Sequence, residues 1–175
     1  IFNKSINHTT YTHLYSKFCV KITEVVGDKF KNNLIKKVNT FYKNTIVKNF
    51  EFNQNDVSYD EMCKINKEKF ELIGSFIFIG SLYVNDLITK NYVLEYYTTL
   101  LDTVKKEPCK DTSHKYIECL SKLLTTIGEK LFSEIGDEFN KTLISEIEKL
   151  SSDKSKYKSK SRFMLQDILD LKKKW

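Results

Sequence analysis

Residues 72–84 read LIGSFIFIGSLYV, thirteen positions that carry apolar side chains almost all the way round a helix. A stretch of that length falls short of the ~20 residues needed to span a bilayer, so it predicts a helix covered by protein on both sides. No other stretch is longer, so no transmembrane segment is expected. Gly74 and Gly80 within it would admit close approach by neighbouring helices. Upstream, Met62, Ile65 and Phe70 extend the same element back towards position 59, and Asn85 and Asp86 end it.

Outward from this segment the helical period persists. Tyr11, Leu14, Tyr15, Phe18, Cys19, Ile22, Val25 and Val26 fall at spacings of three and four and predict one inward face, closed by Gly27. Phe30, Leu34, Ile35, Val38, Phe41 and Tyr42 form a second stripe opposite a run of lysines. Residues 49–58 (NFEFNQNDVS) lose the period and read as a surface loop. Further helices are expected through Val93–Val104 and Ile117–Ile127, the latter N-capped by Asp111 or Thr112 and stopped by Gly128. Two more follow, through Phe139–Leu150 and from about Ser161.

These elements group as helix pairs at 10–50, 59–106, 112–151 and 160–175. The recurrence of about fifty residues slightly exceeds the ~40–47 of HEAT-type repeats. Sequential pairs of this kind predict an all-α fold: an α-solenoid of antiparallel helix pairs, forming one domain over residues 1–175. An irregular helical bundle is the competing arrangement. The chain lacks an initiating Met and reads as a fragment of something longer, an array truncated at both ends.

The composition agrees. The chain has 175 residues, 41% hydrophobic and 30% charged, with five Gly and one Pro, too few breakers for a turn-rich β-sandwich. A net charge of +6 tilts it towards acidic partners such as RNA. The chain has no Ala and a single Arg, Arg162, which reads as nucleotide bias of the source. The N-terminal stretch IFNKSINHTT carries no apolar h-region, and four cysteines without a tight framework predict a reducing compartment.

No catalytic constellation stands out. Cys109, His114 and Cys119, and separately His8, His13 and Cys19, are loose sets without the close pairs of a structural zinc site. Cys119 and His114 are read as a buried thiol and a surface histidine, and no metal is expected. Carboxylate pairs such as Asp167 with Asp170 are scattered on solvated faces. No phosphate loop, HExxH, GxSxG or dinucleotide fingerprint occurs, so no cofactor and no enzyme activity are expected. The informative charge run is Lys154, Lys156, Lys158 and Lys160, interleaved with Ser and Tyr157. It is either a solvated loop or a phosphate-contacting strip for RNA with Tyr157 free to stack on a base.

Four segments resemble one family. ELIGSFIFIGSLY (Glu71–Tyr83), ECLSKLLTTIGEKL (Glu118–Leu131) and SRFMLQDILDL (Ser161–Leu171), in this order and spacing, closely resemble the middle domain of eukaryotic translation initiation factor 4G. FKNNLIKKVNTFY (Phe30–Tyr42) is similar to that family's basic, leucine-rich helix. The resemblance implies a crescent of HEAT repeats, of which about three and a half would be present here. It also implies a cytoplasmic, non-enzymatic scaffold in translation initiation. Such a scaffold docks and stimulates a DEAD-box RNA helicase, initiation factor 4A, and binds mRNA and further initiation factors, with no membrane partner.

Within the matching strings Ile73, Phe76, Ile79, Leu82, Leu123, Leu124, Ile127 and Leu165 are expected to pack. The resemblance implies Lys31, Lys37, Lys69, Glu71, Arg162, Phe163 and Gln166 as helicase contacts. Where the family commonly has an Arg cluster before the third helix, this chain has EKFEL, with Lys69 its only base. Only Arg offers a rigid bidentate fork, so the lone Arg162 is expected to make a specific paired contact. A related regulator that binds helicase or RNA without supporting initiation is the alternative. Poly(A)-binding-protein-interacting proteins and splicing or decay scaffolds are of that type.

Overall fold

The computed structural model describes residues 1–46, 58–106, 108 and 111–175, and every regular element in them is a helix. The 49–58 loop lies outside the described residues save for Ser58, and so does Cys109. The chain divides into two compact units, Ile1–Ile88 and Thr89–Trp175. The division falls between the two helices that the spacing groups over 59–106.

The first unit is built on α4 (Tyr59–Val84), which packs against α1 (Phe2–Asn7), α2 (Thr12–Val26) and α3 (Asp28–Ile46). Its start is set by a capping box: the Ser58 hydroxyl accepts from the Glu61 amide at 3.3 Å, and the Ser58 amide donates to Glu61 Oε2 at 3.0 Å. Leu72, Phe76, Phe78, Ile79 and Leu82 are completely buried, as the 72–84 segment predicts. Each such side chain contributes roughly 1.5–3 kcal/mol relative to an exposed position. Ile73 is only half-buried.

Helix α1 is too short to carry a periodicity signal and has no counterpart in the sequence reading. Two anchors hold it. Phe2 meets Phe41 edge-on at 5.2 Å and Phe78 at 6.0 Å, and Ile6 is 3% exposed. Its backbone lies directly on α4, because a Cβ added to Gly74 would overlap the Ile6 carbonyl.

Helix α2 corrects the sequence reading. It buries Thr12, Ser16 and Cys19 and turns Tyr11, Leu14, Phe18, Val25 and Val26, each more than half exposed, to solvent. Small side chains let the helix come close to α4, and hydrogen bonds satisfy their polar atoms. Asn85 Nδ2 donates to Ser16 Oγ at 3.0 Å, and Thr12 Oγ1 donates to the Ser5 carbonyl at 3.2 Å. Gly27, at φ 84°, ends α2 as expected, its amide donating to the Thr23 carbonyl at 2.8 Å.

In the second unit α5 (Lys90–Lys106) packs on α6 (Asp111–Ile135), and α9 (Ser159–Lys172) packs on both α6 and α8 (Ser145–Ser152). Between α6 and α8 lie Gly136 at φ 52°, the single turn α7 (Asp137–Phe139) and a π-helical turn, Asn140–Ile144. Leu100, Ile117, Leu120, Leu123, Leu124, Ile127, Phe139 and Leu165 are fully buried. The Tyr97 hydroxyl donates to the Leu143 carbonyl at 2.9 Å, fastening α5 to the π turn, and burial pushes its phenol well above the ordinary range. Nearby, Lys105 pairs with Glu146, as does Lys149 at 2.6 Å, and these bonds hold the Glu146 carboxyl below its usual value.

Two expectations fail here. Helix α6 is described from Asp111, so Asp111 and Thr112 stand inside it and not before it. It also runs through Gly128 to Ile135. A glycine stops a helix by taking positive φ, and in this unit Gly136 does so. Gly128 serves another purpose: a Cβ there would collide with the indole of Trp175, which folds back after α9 and meets Phe139 edge-on at 5.5 Å.

Gly128→Ala is therefore expected to expel that ring. The helix-propensity gain of about 1 kcal/mol is outweighed by an overpacking cost of roughly 1–3 kcal/mol. Trp175 is the only tryptophan, so its emission should move towards that of hydrated indole while far-UV circular dichroism is retained. An unmoved emission maximum would show that the ring does not lie over Gly128.

Candidate protein and RNA interface

The residues picked out for partner contact fall in both units. On α3, Lys31 is half-buried and Lys37 exposed. Six residues at 100° each place them about 120° apart around the helix, so they do not share a face. On α4, Lys69 and Glu71 are both half-buried and lie on opposite sides of the helix. The first unit therefore scatters its four candidates.

The second unit gathers its own. Arg162, Phe163 and Gln166 sit at i, i+1 and i+4 on α9 and form one contiguous patch. Phe163 is 66% exposed, the most solvent-facing large apolar side chain among the described residues of the unit, and Gln166 is exposed beside it. The patch sets one exposed aromatic beside an amide and a guanidinium on a single helix. Arg162 is half-buried. Its Nη2 donates to Ser159 Oγ at 3.4 Å, its Nε is buried with no hydrogen-bond partner, and no carboxylate pairs with it among the described residues. The paired contact expected of this arginine is thus not made within the described chain.

Immediately before α9 the chain reverses in a tight turn. Asp153 Oδ1 accepts from the Ser155 and Lys156 amides, each at 3.1 Å, and from the Ser155 hydroxyl at 2.6 Å. These bonds lower the Asp153 carboxyl from its ordinary value. The turn leaves Lys154, Lys156, Lys158 and Lys160 exposed, with Lys156 Nζ 3.5 Å from Asp153. It also rotates Tyr157 inward to 6% exposure, so the ring is not available to stack on a base, contrary to the sequence reading. Alternation of Lys with one Tyr gives no warning of this, because the turn that buries the ring depends on Asp153 four residues earlier.

The histidines and cysteines do not converge. Cys19 is completely buried, and burial pushes its thiol to about 11, while His8 and His13 are exposed. Cys119 is buried, and His114 has its Nδ1 2.9 Å from Ser161 Oγ. Among the described residues no three His, Cys, Asp or Glu side chains cluster as a metal site would require, and no helix is long and apolar enough to cross a membrane.

A family model described as the MIF4G domain matches residues 1–174. The chain belongs to the MIF4G domain family. The MIF4G relatives include a eukaryotic translation initiation factor 4G of Cucumis melo, 26% identical across the whole chain, which covers 10% of that relative. A human eukaryotic translation initiation factor 4 gamma 3 is 32% identical over 61% of the chain and 6% of its own length. A probable eukaryotic translation initiation factor 4 gamma homolog of Vairimorpha ceranae is 21% identical over 98% of the chain and 31% of its length. The chain thus spans about a tenth of the first of these relatives. The all-α, helical-repeat fold expected for a MIF4G domain of initiation-factor type is the fold found.

Proposed function

We propose that this MIF4G domain is a cytoplasmic scaffold that docks a DEAD-box RNA helicase, initiation factor 4A, and quickens its ATPase cycle while holding mRNA nearby. The observation that carries the reading is the Arg162–Phe163–Gln166 patch, whose exposed aromatic and unmatched guanidinium fit a partner surface offering an apolar pocket and a carboxylate. Lys31, Lys37, Lys69 and Glu71 serve as secondary contacts, and the helicase supplies all nucleotide chemistry. Other initiation factors are further partners of the same scaffold. The test is the ATPase rate of the source organism's helicase with and without the domain; no stimulation at saturating domain would remove the reading.

RNA is held by the exposed Lys154, Lys156, Lys158 and Lys160 through their charge on the phosphates, without Tyr157. Each lysine–phosphate pairing removed should flatten the slope of log K against log salt by roughly 0.7 on single-stranded RNA. Changing Lys154, Lys158 and Lys160 together to Glu should therefore flatten it by about 2 and weaken binding at low salt. An unchanged slope would mean that the strip is only a solvated turn.

A further inference from the structure

We propose that Ser159 is a phosphoacceptor whose phosphate is held by Arg162 and switches off the basic strip around it. Five serines lie between residues 151 and 161, and four of them are unsuited to modification. Ser151 and Ser152 donate their hydroxyls to the Glu148 carbonyl at 2.9 and 2.8 Å. Ser155 donates to Asp153 at 2.6 Å, so a phosphate there would meet a carboxylate. Ser161 is 2% exposed and bonded to His114.

Ser159 differs on every count. It is exposed, its Oγ accepts from Arg162 at 3.4 Å, and the helix it opens has Lys158 as its N-cap, with no side-chain cap bond. Lys156 stands three residues before it and Arg162 three after, the flanking charge that a basophilic protein kinase selects. The preceding residue, Lys158, is in extended conformation at φ −58°, ψ 148°, so an extended segment leads into the exposed Ser159 hydroxyl at the start of α9.

The chemistry is ordinary group transfer from a nucleoside triphosphate. Ser159 Oγ gives its proton to the kinase's catalytic base and bonds to the γ-phosphorus. The bond from that phosphorus to the bridging oxygen breaks, and the nucleoside diphosphate leaves with the electron pair. The product places a charge of about −2 within reach of a guanidinium whose Nε is buried and has no partner. The short, directed hydrogen bonds of a phosphate replace the long 3.4 Å contact. With Lys158 and Lys160 on either side, the same charge cancels much of the field that attracts RNA. This regulatory consequence rests on the RNA-binding reading above; the modification and its capture by Arg162 do not.

The test is to incubate the whole domain with a basophilic kinase and Mg·ATP and to map the phosphate by mass spectrometry. Incorporation should occur at Ser159, vanish in Ser159→Ala and persist in Ser155→Ala. The modified domain should melt roughly 2–4 °C higher than the unmodified one. That rise should disappear in Arg162→Gln, whose far-UV circular dichroism checks its fold. Phosphorylation should also lower the affinity of the domain for single-stranded RNA, with a salt slope flatter by about 0.7–1.4. Phosphate on another serine, or a rise in melting temperature that survives Arg162→Gln, would overturn the assignment. If the unmodified domain does not bind RNA at all while the Arg162-dependent rise persists, the RNA reading fails and the phosphoacceptor stands.

Discussion

Replacing Gly74 by alanine should unseat the first helix of the domain and cost about 2–5 kcal/mol, although alanine is the better helix former. The new Cβ meets the backbone of Ile6, which cannot swing aside as a side chain tip would. Either the helices part or α1 leaves. Propensity favours the variant by about 1 kcal/mol, overpacking against backbone costs roughly 1–3, and removing Phe2 and Ile6 from the core costs about 1.5–3 each. Detachment of α1 relieves the clash and leaves the loss of Phe2 and Ile6 less the propensity gain, a net cost of about 2–5 kcal/mol. Urea unfolding should show the lowered stability, and amide exchange should show residues 2–7 unprotected while α4 stays protected. A variant more stable than the parent would mean that propensity prevails and that α1 does not press on α4.

The second large effect is on binding. Arg162→Glu puts a like charge or an unpaired carboxylate where the helicase is proposed to offer an acid, a change commonly worth about 2–5 kcal/mol at a desolvated contact. That is roughly 30-fold to several-thousand-fold in Kd. Phe163→Ala removes the exposed anchor and should cost about 2 kcal/mol of affinity. Neither should move the melting point much. Phe163 is mostly in solvent, Arg162 holds only the long contact to Ser159, and surface changes of this sort lie within about 0.5 kcal/mol. Calorimetry with the helicase beside melting curves separates the cases. Full affinity in both variants would place the docking surface elsewhere, with Lys37→Glu in the first unit as the next position to test.

Most of the architecture is legible in the chain because helices of about fifteen residues or more repeat their apolar positions several times. The 72–84 segment, the stripes of α5, α6 and α9, the start of α4 near residue 59 and the stop at Gly27 all follow from period and end chemistry alone. What escapes such reading depends on neighbours distant in sequence. The inward face of α2 carries Cys19, which the period includes, together with Thr12 and Ser16, which an apolar-periodicity argument discards. Gly128 resembles a terminator until Trp175, far along the chain, is seen to lie over it. In the candidate site, the exposure of Lys154, Lys156, Lys158 and Lys160 follows from local pattern, whereas Phe163 is singled out by the resemblance alone. The burial of Tyr157 and the unmatched state of Arg162 depend on the three-dimensional turn at Asp153 and on where the acids fall in space, which spacing does not reveal.

The π-helical turn at Asn140–Ile144 has a bearing on how this part of the chain tolerates changes of length. In an ordinary helix, deleting one residue rotates everything downstream by about 100° and turns a buried face to water. A π turn already contains one residue more than its α-helical equivalent. Removing one exposed position there, Lys141 or Thr142, would relax the turn to regular α geometry and leave Phe139 on one side and Ile147 and Leu150 on the other in phase. Sequences of this family that are one residue shorter between α6 and α8 can therefore keep the same core, and a gap at this place in an alignment need not signal a different fold.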